Sequence, residues 1–188
     1  MFSDESKFES CNTRKIFVRR PTGEKLNFKY IKFNLTRSFA SVNVWGAFSK
    51  HNNTPLVRID RKLNSKTYCK MLTEQLIPNL QTLLPNAGFF QQDKCPFHLS
   101  KCSRNFFEKS KFSVLEWPAL SPDLNPIENV WNLMKSRIAI TKFNDSNQIF
   151  SKLREILEEI FSNNEITNSL IMSMPNRISL VIQWWRDY

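Results

Sequence analysis

Apolar residues recur along the chain with two different periods. In the first half, short alternating runs dominate. Residues 41–49 (SVNVWGAFS) alternate like a strand, with Val42, Val44 and Gly46 on one face. Residues 55–60 make a second strand, joined to the first by the polar turn 51–54, where His51 is expected to be exposed. Residues 1–8 predict a strand carrying Asp4, and residues 14–20 predict another, followed by a turn at 21–24. Phe89, Phe90, Gln91 and Gln92 read as a short buried strand ending in Asp93, and 113–117 as the last strand. Helical spacing takes over at 64–84, where Tyr68, Met71, Leu72, Gln75 and Leu76 share a face and Pro78 should kink or split the helix. A helix over 100–110 should bury Phe106 and Phe107. Beyond Ile140 the pattern is entirely helical. Asp145 and Ser146 cap a helix with Ile149, Phe150, Leu153, Ile156, Leu157, Ile160 and Phe161 on one face. Helices over 163–173 and 175–185 follow, their apolar stripes expected to face the core.

One stretch, WPALSPDLNPIENVWNLMK from Trp117 to Lys135, breaks the regular pattern and carries chemistry. Its prolines predict an ordered extended loop over 117–124. Asn125 then reads as a helix N-cap with Pro126 at the first helical position, and Val130, Trp131, Met134 and Ile138 follow at helical spacing. Glu128 falls in the first turn, where two readings stand. It completes a capping box with Asn125, or it delivers a carboxylate to the mouth of the loop. Asp93 lies upstream with 34 residues between it and Glu128, and Asp4 is a third acid on a predicted strand.

Charge changes the picture further. The chain of 188 residues carries 27 Lys and Arg against 17 Asp and Glu, a net charge of +10, which favours a polyanionic partner such as nucleic acid. Between Arg14 and Ala40 the basic residues Arg14, Lys15, Arg19, Arg20, Lys25, Lys29, Lys32 and Arg37 face only Glu24, with Phe17, Phe28, Tyr30, Phe33 and Phe39 interleaved. That mixture suits phosphate contact with base stacking. A solvated hairpin with core aromatics is the other reading. No apolar run approaches the roughly 20 residues of a membrane span, and no signal peptide is visible. The four cysteines form no Cys-x-x-Cys pair and there are two histidines, so a structural zinc site is not expected and the thiols should be reduced.

The motifs FSDESKF, VWGAFS, FFQQDKCPFH and VLEWPALSPDLNPIENVWNLMK, in that order, resemble the catalytic domain of mariner-type (Tc/mariner superfamily) DNA transposases. The resemblance runs from Phe2 to about Ile182. It implies an α/β, ribonuclease H-like fold: a mixed five-stranded sheet flanked by helices, with a helical C-terminal extension, all in one domain over 1–188. It implies an Asp-Asp-Glu metal triad of Asp4, Asp93 and Glu128, holding two Mg²⁺ or Mn²⁺ ions with Asp93 bridging them. His98 and Asn129 are candidates to orient these ligands, although a histidine beginning a helix is often purely structural. The implied activity is cleavage and strand transfer of DNA in cut-and-paste transposition. The partners would be double-stranded DNA, as transposon ends and target, and a second copy of the chain, in the nucleus. The family's Asn-Ala after the second aspartate is replaced here by Lys94 and Cys95. The chain reads as a catalytic domain cut at its first catalytic residue, without the family's helix-turn-helix region. With three residues before Asp4, the first strand is expected to fray and activity to be poor. The alternative is an inactive remnant that acts only in DNA binding or dimerisation.

Overall fold

Strand β1 (Phe2–Glu9) pairs antiparallel with β2 (Ser41–Phe48) over its whole length, and β2 pairs with the short β3 (Val57–Ile59). These elements belong to a computed structural model that describes residues 1–10, 40–60, 62–85, 88–110, 113–119, 121–139, 141–162 and 164–186. The strand expected over 14–20, and with it the whole basic segment from Arg14 to Arg37, lies outside the described residues. The polar turn after β2 behaves as its sequence predicts. Phe48 and Asn53 form an antiparallel bridge, and Thr54 Oγ1 accepts from the Ala47 amide at 3.0 Å.

Alternation along β2 divides the core into two. Val42, Val44 and Phe48 join Phe8 on one face, against helix α4 (Ile127–Ile138) and helix α5 (Ser146–Ser162). Trp45 and Ala47 face the other way. They meet Tyr68 and Met71 of α1 (Ser65–Met71), Leu83 of α2 (Leu80–Leu83) and Phe107 of α3 (Lys101–Lys109). Between α1 and α2 the chain tightens and loosens in turn. Leu72–Leu76 forms a π turn and Ile77–Asn79 a 3₁₀ turn, so Pro78 splits the predicted long helix where its missing amide demands. The helix expected from Asp145 forms as α5, with Asp145 Oδ1 accepting from the amides of Asn147 at 2.7 Å and Gln148 at 2.9 Å.

The five strands do not make the expected single sheet. Among the described residues they form a three-stranded sheet, β1 to β3, and a parallel two-stranded sheet of β4 (Phe89–Phe90) and β5 (Ser113–Val114). One parallel bridge, Phe2 to Gln91, joins the two edges. The cause is the brevity of β4 and β5. Gln91 spends its amide on Met1 O at 2.9 Å, and the chain then leaves the strand for the loop that carries Asp93.

That same edge alters the expectation of a frayed first strand. The Met1 amino group donates to Phe89 O at 3.0 Å, Ser3 Oγ to Gln91 O at 2.8 Å and Ser3 N to Gln91 Oε1 at 3.3 Å. With β2 on its other side, the backbone before Asp4 is held from both flanks. The last two helices, α6 (Asn164–Met172) and α7 (Met174–Arg186), also differ from expectation. Ile178, Leu180, Ile182 and Trp184 of α7 are exposed instead of facing the core. No helix among the described residues is long and apolar enough to cross a membrane.

Gly46 is paired with Asp4 in the β1–β2 register and lies under Trp131 of α4. A Cβ at Gly46 would stand 3.0 Å from Trp131 Cη2, and Trp131 is fully packed. Gly46→Ala should therefore push the Trp131 ring outward by a few tenths of an ångström and cost about 1–3 kcal/mol, the usual scale of overpacking. Urea unfolding monitored by tryptophan fluorescence measures this, and an unchanged midpoint would mean that Trp131 has room to move.

Candidate active site

Because side chains alternate along β1, adjacent acids leave the strand on opposite faces. Asp4 shares the face of Phe2 and Phe8, toward α4. Glu5 shares the face of its partner Trp45, toward α1 and the loop after β4. Asp4 stands close enough to Glu128 of α4 for the two carboxyl groups to influence each other. Burial, then the charges of Glu5 and Glu128, push the Asp4 carboxyl up to about 8. At neutral pH this pair therefore carries less negative charge than two free carboxylates would.

Glu128 is available for this because the capping box does not form. The Asn125 amide donates to Pro122 O at 2.9 Å, closing a 3₁₀ turn over Pro122–Leu124. The Asn125 side chain accepts from Ile127 N at 3.4 Å and donates to Ser3 O of β1 at 3.2 Å. The helix begins at Ile127, one residue later than the sequence suggests, with Pro126 in the cap position. Asn125 thus joins the proline loop to β1, one residue from Asp4.

Asp93 comes from the loop beyond β4. Its Oδ1 accepts from His98 Nδ1 at 2.6 Å and from the Cys95 amide at 2.9 Å. The bond from His98 is the main cause holding the Asp93 carboxyl below its ordinary range. His98 is buried, with only 3% of its side chain exposed, and its Nε2 lies 3.4 Å from Glu5 Oε1, off hydrogen-bond geometry. Burial works against a charged ring there, but Asp93 and Glu5 together outweigh it and raise His98 to about 9. Tyr68 packs on the ring at 4.4 Å between centroids and donates to Gln92 Oε1 at 2.8 Å. His98 is thus an imidazolium clamped between two acids, on the face of the sheet behind Asp4.

Asp4, Asp93 and Glu128 line one cleft of about 380 Å³, walled by Trp117, Pro118, Pro122 and Asn125. Lys94 and Cys95 line it too, and the Lys94 side chain is exposed. Among the described residues, no three Asp, Glu, His or Cys side chains stand close enough to surround an ion as they are. The donor chemistry nonetheless suits a hard divalent cation, since it is all carboxylate oxygen. The raised Asp4 also marks an acid pair short of positive charge. Asn129, expected to orient a ligand, is committed elsewhere. Its Oδ1 accepts from Arg177 Nη2 at 2.9 Å, while Arg177 Nη1 donates to Asp123 O at 2.9 Å. Arg177 of α7 therefore braces the turn before Glu128, and no local pattern in the sequence pointed to it. Glu5 could have been found, because the alternation that sends Asp4 forward sends its neighbour back.

The His98 clamp gives a stability prediction in ion-free buffer. A group whose folded pKa is raised contributes stability that is fully present below its unfolded value, near 6.5, and is lost as pH rises through about 9. Denaturant unfolding of wild type and His98→Gln should therefore differ most below pH 6.5 and converge above pH 9. The difference should be about 2 kcal/mol at most, since Asp93 is 57% exposed and solvent screens its share. A constant difference across that range would mean that the ring contributes packing alone.

Comparison with known proteins bears on the family and the fold. Residues 1–149 match the family described as DDE superfamily endonuclease. Over 183 residues the chain is 34% identical to the transposable element Tcb2 transposase of Caenorhabditis briggsae, covering 97% of this chain and 66% of that protein. It is 32% identical over 183 residues to the transposable element Tc1 transposase of Caenorhabditis elegans, with the same 97% and 66% coverage. It therefore spans just under two thirds of the length of these relatives. Its fold is similar to that of Mos1 transposase in a paired-end complex with the left transposon end, with a TM-score of 0.70 at 19% identity over 93% of this chain and 52% of that one. The Mos1 catalytic domain solved with Raltegravir and Mg gives 0.63 at 21% identity, over 73% of this chain and 71% of that one. At such identities the likeness is one of fold, the ribonuclease H-like α/β arrangement. The family match over residues 1–149 places the chain among the DDE superfamily endonucleases.

Proposed function

We propose that this chain is the metal-dependent endonuclease domain of a cut-and-paste transposase, performing DNA strand cleavage and strand transfer. The observation that carries the reading is the convergence of Asp4, Asp93 and Glu128, from a strand, a loop and a helix, on one cleft. In this reading the three carboxylates hold two Mg²⁺ or Mn²⁺ ions. Such ions would activate the attacking oxygen and stabilise the leaving oxygen of an in-line phosphoryl transfer. The chain's own contribution is placement. The Gln91 and β2 contacts fix the backbone of Asp4, Asn125 ties the Glu128 turn to the same strand, and His98 fixes Asp93 through Oδ1. Lys94, exposed at the cleft, offers a cation to a DNA phosphate. Mos1 transposase structures solved with Mg, with Mn and with a transposon end support divalent ions and DNA as ligands. The net charge of +10 supports a DNA partner independently. A homodimer acting on paired ends in the nucleus completes the proposal.

A second reading, an inactive remnant that binds DNA or dimerises, draws on the absence of a ready three-ligand cluster among the described residues. Nicking of supercoiled DNA in Mg²⁺ or Mn²⁺ separates the two. Asp4→Asn, Asp93→Asn and Glu128→Gln should each reduce it by about 100-fold or more, as the loss of several kcal/mol of charge stabilisation requires. A wild-type rate in any of the three would remove that residue from the site. Wild-type protein that binds ions and does not nick would favour the remnant.

Protons give an independent measure. Asp4, held at about 8, is mostly protonated at pH 7, and a cation between it and Glu128 favours the ionised form. Mn²⁺ binding at pH 7 should therefore release about one proton, and affinity should rise with pH up to about 8. Calorimetry in two buffers of different ionisation enthalpy reads this directly. Binding without proton release, or release that persists in Asp4→Asn, would place the ion elsewhere.

A further inference from the structure

Outside the acidic cleft, two thiols from different helices face each other. Cys69 on α1 and Cys102 on α3 are 33 positions apart in sequence, yet Cys102 Sγ lies 3.5 Å from Cys69 Sγ. That is van der Waals contact between sulfur atoms, about 1.5 Å longer than a disulfide bond. The two residues differ in access. Cys102 is exposed, and Cys69 is partly covered. Cys69 also donates weakly to Ser103 Oγ at 3.7 Å, and Ser103 Oγ in turn donates to Phe97 O at 2.7 Å.

We propose that Cys69 and Cys102 form an oxidative modification site, closing to a reversible intramolecular disulfide when a hydroperoxide supplies the oxidising equivalents. The exposed Cys102 reacts first. Its thiolate sulfur attacks a peroxide oxygen, an S–O bond forms, the O–O bond breaks and hydroxide leaves, giving a sulfenic acid. Cys69 then loses its proton to solvent and attacks the Cys102 sulfur. The S–S bond forms as the S–O bond breaks, and the second oxygen departs as water. Two thiols and one hydrogen peroxide thus become one disulfide and two waters.

The order follows from access and from Cys69's surroundings, where burial is the main influence pushing its thiol up. A covered, mostly protonated thiol is a poor first target for peroxide, but it is well placed to resolve a sulfenic acid next to it. Cys95 is not equivalent. It lines the acidic cleft, where burial and then the charge of Asp93 push its thiol up.

The consequence lies in what the two helices carry. Tyr68, the residue before Cys69, packs on His98, and α3 begins just after His98. Closing the disulfide ties these two supports of the Asp93 loop together and removes the proton that Cys69 shares with Ser103.

The test treats the full chain with hydrogen peroxide, alkylates the remaining thiols and maps peptides by mass spectrometry without reduction. The expected product is a Cys69–Cys102 linked peptide lighter by two hydrogens, with a thermal midpoint raised by about 5 °C or more and both changes reversed by dithiothreitol. Cys69→Ser should leave Cys102 as a sulfenic acid captured by dimedone, and Cys102→Ser should leave Cys69 open to alkylation. Recovery of both cysteines without a link between them, or of Cys95 or Cys11 bonded in place of either, overturns the proposal.

Discussion

Everything in the site depends on how β1 is held. Its backbone hydrogen-bonds to β2 on one edge and to Met1–Gln91 contacts on the other, so its side chains must alternate between two packed faces. Asp4 is sent toward α4 and Glu5 toward α1 and the His98 loop. One strand register thereby sets both the acid pair of the cleft and the clamp behind it. The close approach of Trp131 to Gly46, opposite Asp4, fixes the distance at which α4 presents Glu128. A slip of one residue would exchange the two acids and put Glu5 beside Glu128.

The two faces handle negative charge differently. Behind the sheet, Glu5 and Asp93 share one buried imidazolium, and opposite charges hold the arrangement together. In front, burial and then the charges of Glu5 and Glu128 keep Asp4 protonated near neutral pH. The front face is therefore the one where a cation gains most. Lys94 does not fill that role, since its side chain is exposed to solvent.

The C-terminal helices extend this support outward. Arg177 joins α7 to Asp123 and Asn129, on either side of Glu128, so the far end of the chain bears on the cleft although it contributes no carboxylate to it. The same helix leaves Ile178, Leu180 and Ile182 exposed, which an amphipathic pattern alone does not foretell.

Local rules in the sequence determined much of this. Alternation gave β2 and its turn, proline chemistry split the helix at Pro78, and Asp145 capped α5, because each depends on neighbours within a few residues. The motifs that carried the family resemblance were equally local. Tertiary structure decided what local rules leave open. Glu128 gives up the capping box because Asn125 bonds to Ser3 and its amide to Pro122. Five strands become sheets of three and two because β4 and β5 are too short to pair beyond a single bridge with β1. The His98 clamp joins residues 5, 93 and 98, and the Cys69–Cys102 contact joins two helices that no spacing connects. These outcomes turn on which partner lies within about 3 Å in space, and a period of two or of 3.6 residues carries no such information.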